Sequence, residues 1–416
     1  MSNKKGAFKK QTNKVISNYL YLLLIQGTNF LLPLITFPYL VRVLNLENYG
    51  IVMMAGSLMV FLNIFVDFGF NISATRHVSL IRNDKHALSN YFWNIFLIKF
   101  FLLVLSFLIL LFLTLFFDKF REYALIYLFS FGVVIGQSLF PTWLFQGIER
   151  MRVITIVNVL AKIIFTVTIF IFIKSSNDYL LVPVLNSLGF VIAGIIGFLI
   201  SLKYVLFKKP KRVAIVSIIK ENSHLVVSNF ATSIYTSGNT FILGIVAGKE
   251  MAGIYSSMEK LVMATKTIYI PLYQAIFPWL ATKSKNEVII FIHKIKKYII
   301  FSSLFIVSII FIFAEQLLAI IYDNPIIVDY ANVFRLLGFI AFFASLNMMY
   351  VSLLFPALKM YKYRMIPLLS AGIVDLILAL ILGYYFSIFG VAFTAVFSEF
   401  LILVISFYYF KTKIIK

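Results

Sequence analysis

Lys99, Lys162, Glu259, Lys260, Lys266, Asp375 and Glu399 each fall well inside a long apolar run. A charge at membrane depth costs roughly 2.5–3.5 kcal/mol on insertion scales, so it faces a cavity or a partner. The fullest set lies between residues 251 and 278. Glu259, Met263 and Lys266 stand at i, i+4 and i+7, on one helical face. Lys260 is adjacent, and Thr267 and Gln274 lengthen the polar strip. Such a face suits an aqueous lumen. The alternative is an ion pair of Glu259 with a lysine that only staples helices. Lys162 is the candidate lumen cation of an earlier run, whereas Lys99 reads as one half of a structural pair. Asp375 and Glu399 could carry a coupling proton or cation; equally, they could pair with each other or with a lysine. Arg42 follows the apolar run that contains Pro33 and Pro38, and places a cation at its far end. Asp67 and Arg76 bracket the segment DFGFNISATR, and Arg150 opens a basic turn; these three mark a cytoplasmic entrance.

Several chemistries are excluded. Without cysteine there is no disulfide framework, no thiolate nucleophile and no Cys-ligated metal. His77, His86, His224 and His293 are scattered and lack metal-ligand spacing. There is no Walker A sequence, no Ser/His/Asp grouping and no carboxylate pair in a polar loop. The expectation is a protein that is not an enzyme and uses neither metal nor cofactor.

The elements that must hold these side chains are membrane helices. The chain is 62% hydrophobic and only 13% charged, with a mean hydropathy of +0.98. Soluble domains run at roughly 45–50% apolar and about 25% charged. With about 20 apolar residues per crossing, the sequence predicts twelve spans. They fall near 15–41, 47–72, 88–117, 122–146, 152–173, 179–206, 221–247, 251–278, 289–315, 330–355, 364–386 and 388–410. The first should bend, because Pro33 and Pro38 each remove a backbone donor and lipid offers no substitute. The fold class is therefore an all-α polytopic membrane protein.

Charge distribution orients it. Most of the 37 basic residues fall on the side of the N-terminus, from Lys4–Lys14 through the loop from Lys203 to Lys220 to Lys416. The positive-inside rule then puts both termini in the cytoplasm. The net charge of +21 is thereby assigned to anionic lipid, not to nucleic acid. Trp93, Trp143 and Trp279 fall at cytoplasmic span ends and read as an interfacial belt. The chain also repeats: Glu47-Asn-Tyr-Gly50-Ile51 is echoed by Glu250-Met-Ala-Gly253-Ile254. Two six-helix bundles, residues 1–207 and 208–416, are expected around a central cavity.

Four segments carry a family resemblance: LLPLITFPYLVRVLNLENYG (Leu31 to Gly50), DFGFNISATR (Asp67 to Arg76), PTWLFQGIERMRVITIVN (Pro141 to Asn158) and TSGNTFILGIVAGKEMAGIYSSMEK (Thr236 to Lys260). They resemble the Wzx-type O-antigen flippases, in the polysaccharide transporter family of the MOP superfamily, which also holds the MATE exporters. The resemblance implies alternating access without ATP, driven by an ion gradient. Its cargo would be an oligosaccharide on undecaprenyl diphosphate, in the bacterial cytoplasmic (inner) membrane. A polysaccharide polymerase and a chain-length regulator are the implied partners. In this picture Arg42, Lys162, Lys260 and Lys266 hold the diphosphate as a cationic lumen, moderated by Glu259. A MATE-like exporter, or a membrane polymerase or ligase, is the alternative. The short non-cytoplasmic loops argue against the latter.

Overall fold

A computed structural model of the chain describes residues 31–210, 233–280 and 283–415, with residues 27, 28, 215, 218, 219 and 230 besides. The basic residues Lys4 to Lys14, Lys211, Arg212, Lys220 and Lys416, together with His224 and the side chain of Gln274, lie outside the described residues. The described chain is helical. Its helices are α1 (Leu31–Leu44), α2 (Leu46–Asp67), α3 (Phe70–Ile81), α4 (Lys85–Phe116), α5 (Ala124–Leu139), α6 (Thr142–Gly147), α7 (Met151–Phe172) and α8 (Leu181–Ser201). After the basic loop come α9 (Asn239–Val246), α10 (Lys249–Thr267), α11 (Tyr269–Leu280), α12 (Lys285–Tyr322), α13 (Ala331–Met348) and α14 (Tyr361–Tyr409).

Eight helical stretches among the described residues are long and apolar enough to cross a membrane. The count differs from the expected twelve for local reasons. Tyr361–Ile414 takes in both of the last two expected spans. It is broken at Ser387, where φ is 50° and ψ −133°, inside the turn expected near Phe386 to Gly390. The shorter apolar helices Leu31–Leu44 and Thr236–Val246 lie in the expected first and seventh spans, each of which falls partly outside the described residues. The expected eighth span becomes α10 and α11, and α10 carries Lys249, Glu250, Glu259, Lys260 and Lys266.

Capping residues fix several starts. Asp84 accepts hydrogen bonds from the backbone N–H groups of His86 and Ala87, at 2.9 and 3.0 Å, and so starts α4. Ser284 and Glu287 form a reciprocal capping box at the start of α12. The first expected span is continuous helix from Leu31 to Leu44. The helix ends at Asn45, which lies in the left-handed region with φ 64°.

Packing divides the described chain into two units. The first holds the described part of Met1–Leu32, Phe61–Lys174 and the described part of Leu180–Val227. The second holds Pro33–Val60, Ser175–Tyr179 and the described part of Ser228–Lys416. The core of the first unit is aromatic. Trp143 is 1% exposed and packs against Phe92, with ring centroids 5.7 Å apart. It is therefore a core residue and not an interfacial anchor, unlike Trp279, which is 49% exposed. In the second unit the two copies of the Glu-x-x-Gly motif begin α2 and α10 and meet at their glycines. A Cβ on Gly50 would overlap the Lys249 carbonyl, and one on Gly253 would overlap the Leu46 carbonyl. Lys249 Nζ also lies 2.8 Å from Glu47 Oε1 at this crossing.

Candidate functional site

The first unit contains a cavity of about 390 Å³, within the about 300–1,000 Å³ usual for small-ligand sites. One wall is a face of α7. Met151, Ile154, Asn158 and Lys162 all line the cavity, and their spacing of three, four and four puts them on one stripe. Another part of the lining comes from a break in the second expected span. Helix α2 ends at Asp67, Phe68 and Gly69 take φ of 49° and 79°, and α3 resumes at Phe70. The break turns Asp67 and Asn71 toward the cavity, where Asn63, Gln137 and Gln146 join them.

Charge in this unit is partly compensated. Lys99 is buried on α4, with Nζ 3.8 Å from Asp67 Oδ1. The structural pair expected for Lys99 is thus found, and its partner is Asp67. Asn71 N–H also donates to Asp67 Oδ2 at 3.5 Å. Lys162 is the cation among the lining residues. The cavity therefore offers a cation and several amides to a ligand while its one carboxylate faces a lysine.

The second unit holds the other buried ionisable groups. Lys266 Nζ donates to Glu399 Oε1 at 2.7 Å. Asn347 Nδ2 donates to Glu399 Oε2 at 2.6 Å and to its backbone carbonyl at 2.8 Å. Lys266 is therefore paired with the last helix and not with Glu259. Residues seven apart on a helix are separated by about 10 Å along its axis, too far for a direct bond. Glu259 instead accepts from Thr240 Oγ1 at 2.9 Å. Asp375 is fully buried and accepts from Ser398 Oγ at 2.9 Å and Asn239 Nδ2 at 3.5 Å. Its Oδ2 and the nearby Asn239 Oδ1 are buried and meet no hydrogen-bond partner among the described residues.

The remaining candidates stand apart. Arg42 is exposed and donates from Nε to the Tyr322 carbonyl at 3.0 Å and from a terminal nitrogen to the Ile321 carbonyl at 2.9 Å. It caps the C-terminus of α12, where a cation also complements the helix dipole. Lys260 lies 5.7 Å from the Phe37 ring centre, a cation–π distance. Arg76 is exposed on α3. Arg150 is exposed with its guanidinium 6.0 Å from the Tyr204 ring centre. Of the four expected lumen cations, Lys162 alone belongs to the first unit, and no metal-binding cluster of His, Asp or Glu occurs among the described residues.

A family model described as polysaccharide biosynthesis protein matches residues 15–284. The chain belongs to this family. Two relatives of this chain carry the name O-antigen transporter. One, from Escherichia coli (strain K12), is 28% identical over 406 residues, covering 94% of this chain and 96% of its own. The other, from Shigella dysenteriae, is 32% identical over 395 residues, covering 92% and 97%. Among solved structures, an inward-facing multidrug resistance MATE family transporter of the MOP superfamily matches with a TM-score of 0.73. It is 15% identical over 95% of this chain and 98% of its own, so the likeness is one of fold alone.

The cavity residues that sequence reasoning missed are amides. Asn63, Gln137 and Asn158 interrupt apolar runs, just as the noted lysines do. That interruption was the available signal, but uncharged polar groups cost less in a span than charges do and stand out less.

Proposed function

We propose that this protein is a flippase that moves an oligosaccharide linked to undecaprenyl diphosphate across the bacterial cytoplasmic membrane by alternating access. The observation that carries this reading is a polar cavity with a cation on its wall, in a multi-pass membrane protein of the polysaccharide biosynthesis family. Sugars and a diphosphate cannot cross hydrocarbon unaided, whereas a prenyl tail can stay in lipid. A cation such as Lys162 holds phosphate as a compact point charge, which also lets go readily. The reading carries twelve spans in two six-helix bundles, residues 1–207 and 208–416, with both termini cytoplasmic. Coupling to an ion gradient would use Asp375, because a buried carboxylate oxygen with no hydrogen-bond partner among the described residues is where a proton or small cation gains most. A polysaccharide polymerase and a chain-length regulator would work on the delivered cargo.

The test is translocation in vesicles holding the purified protein and undecaprenyl-diphosphate-linked oligosaccharide. A membrane-impermeant glycosidase reports the fraction of cargo on the outer face. The flippase reading expects that fraction to rise faster than in protein-free vesicles, and equal rates would refute it. Transport of an organic cation such as ethidium, with no movement of the lipid-linked sugar, would favour a multidrug exporter. Lengthened glycan product would favour a polymerase.

A further inference from the structure

In the second unit, the last part of α14 carries an apolar stripe that the core does not absorb. Phe393, Phe397, Phe400, Val404 and Phe407 are spaced four, three, four and three, which puts them on one face. All but Phe397 are between 43% and 48% exposed. The stripe is turned toward neighbouring helices. Phe400 meets Phe343 of α13, with ring centroids 5.6 Å apart, and Lys296 of α12 stands over the Phe407 ring at 5.1 Å. Helix α13 packs against both α12 and α14, so it floors a shallow groove between them. Cations gather at one end of this groove. Lys297 adjoins Lys296, and Lys411 follows Phe407 by four residues, one turn along; Lys297 and Lys411 are exposed. No carboxylate answers them. Residues 403–416 contain no Asp or Glu. Glu287, on the first turn of α12, accepts from Lys283 Nζ at 3.2 Å, and Glu399, further in, is held by Lys266 and Asn347.

We infer that this groove binds an anionic glycerophospholipid of the surrounding membrane, with its phosphate on Lys296, Lys297 and Lys411 and an acyl chain along the α14 stripe. The dimensions agree. From Phe393 to Phe407 the stripe is about 21 Å long, more than half of a hydrocarbon core of about 30 Å, so a chain from one leaflet can lie along it throughout. Apolar side chains alone would not select a lipid, because lipid tails are as apolar as leucine. Selection comes from the charge, as it does where basic pockets between membrane helices hold anionic headgroups. The seat of Lys296 over the Phe407 ring keeps that cation at the mouth of the groove. A lipid held in this way bridges α12 and α14. The inference is independent of which cargo the protein moves.

The chain has no cysteine, so Leu304→Cys supplies a single thiol for a fluorophore. Leu304 is 48% exposed and lies eight residues, about two turns, beyond Lys296. The full-length labelled protein is placed in phosphatidylcholine nanodiscs doped with brominated phosphatidylglycerol or brominated phosphatidylcholine, and quenching reports the lipid beside the label. With the three lysines present, phosphatidylglycerol should reach half-quenching at about a tenfold lower fraction than phosphatidylcholine, since one lysine near the surface is worth about fivefold. Lys296→Gln, Lys297→Gln and Lys411→Gln together should make the two lipids quench alike. Lys297→Gln with Lys411→Gln, both at exposed positions, should lower the preference severalfold with the melting temperature unchanged, which guards against a misfolded triple variant. Lys285→Gln with Lys294→Gln removes charge from the same end of α12 but outside the groove, and should keep the preference. Equal quenching by the two lipids before any lysine is replaced, or a preference that survives the triple substitution, would overturn the inference. So would loss of the preference in the Lys285 and Lys294 variant, which would mean attraction to a basic surface at large. Displacement of phosphatidylglycerol by an equal amount of undecaprenyl phosphate would give the groove to the carrier lipid and overturn it as well.

Discussion

Replacing Lys266 by alanine tests whether that lysine is a staple or part of a cargo path. The substitution leaves Glu399, 3% exposed, with the Asn347 amide and no cation. Removing one partner of a buried pair costs about 3–5 kcal/mol. Lys266 is 19% exposed along its side chain, and Asn347 keeps its bond. The cost should therefore fall near the lower end, about 2–4 kcal/mol. Most of it is the penalty of the stranded carboxylate, so Glu399→Gln in the same chain should recover a good part. The assay is a double-substitution cycle, read as apparent melting temperature in detergent and as folded protein per cell. Lys266→Ala should lower both by a clear margin, Glu399→Gln alone should lower them less, and the pair should be better than the sum of the two. Strict additivity, or a Lys266→Ala protein as stable as wild type with surface polysaccharide lost, would refute the staple assignment and return Lys266 to the cargo path.

Four further outcomes are expected. Lys162→Ala should keep folded abundance while transport per folded molecule falls about tenfold or more, and Lys162→Arg should keep part of it, because charge is retained but its shape and hydration change; unchanged transport in vesicles would remove Lys162 from the site. Gly253→Ala should sharply reduce folded protein because its Cβ meets the Leu46 carbonyl, whereas Gly56→Ala, with open space around it, should be neutral or gain about 0.5–1 kcal/mol; equal behaviour in a melting assay would contradict the packing. Donation from the Ala87 N–H, and then from His86, holds the Asp84 carboxyl below the usual carboxylate range. Its stabilising effect is accordingly complete above the unfolded value of about 3.9 and fades as pH falls through the lower folded value, so hydrogen exchange at the start of α4 should differ between wild type and Asp84→Asn at pH 6 and converge in strong acid. Finally, a reporter fused after Lys416 should be active only in the cytoplasmic orientation, and periplasmic activity would overturn the assigned topology.

The sequence announced the membrane helices plainly, because an apolar run of span length has few other uses. It announced single ionisable residues too, for the same reason. What it could not supply was partnership. Lys266 looked tied to Glu259 because both lie on one helix face, yet the carboxylate that reaches it is Glu399, far along the chain and close in space. Asp67 was placed at a cytoplasmic entrance, with no sign of the lysine it faces. The left-handed residues Phe68 and Gly69, which turn it into a cavity wall, leave only a modest mark in the sequence. The carbonyls of Ile321 and Tyr322 that hold Arg42 are likewise invisible in a linear reading. Trp143 shows a limit of position alone: a tryptophan at a span end can serve the core as readily as the interface.

The meeting of Gly50 with Gly253 has a consequence of a different kind. Two copies of one motif touch through like residues, so that each helix start packs on its counterpart. This is the arrangement of a self-complementary homodimer interface, where residue i meets j and j meets i, carried here on a single polypeptide. Each glycine is small on account of a carbonyl on the other helix, Lys249 for Gly50 and Leu46 for Gly253, so a helix displaced by a methyl group at one position already opens the gap at the second. The penalties at the two sites are then shared, and a chain bearing alanine at both should lose much less than the sum of the two losses. Across relatives, the pair should drift as one unit, both small or both relaxed, however far the surrounding halves have diverged.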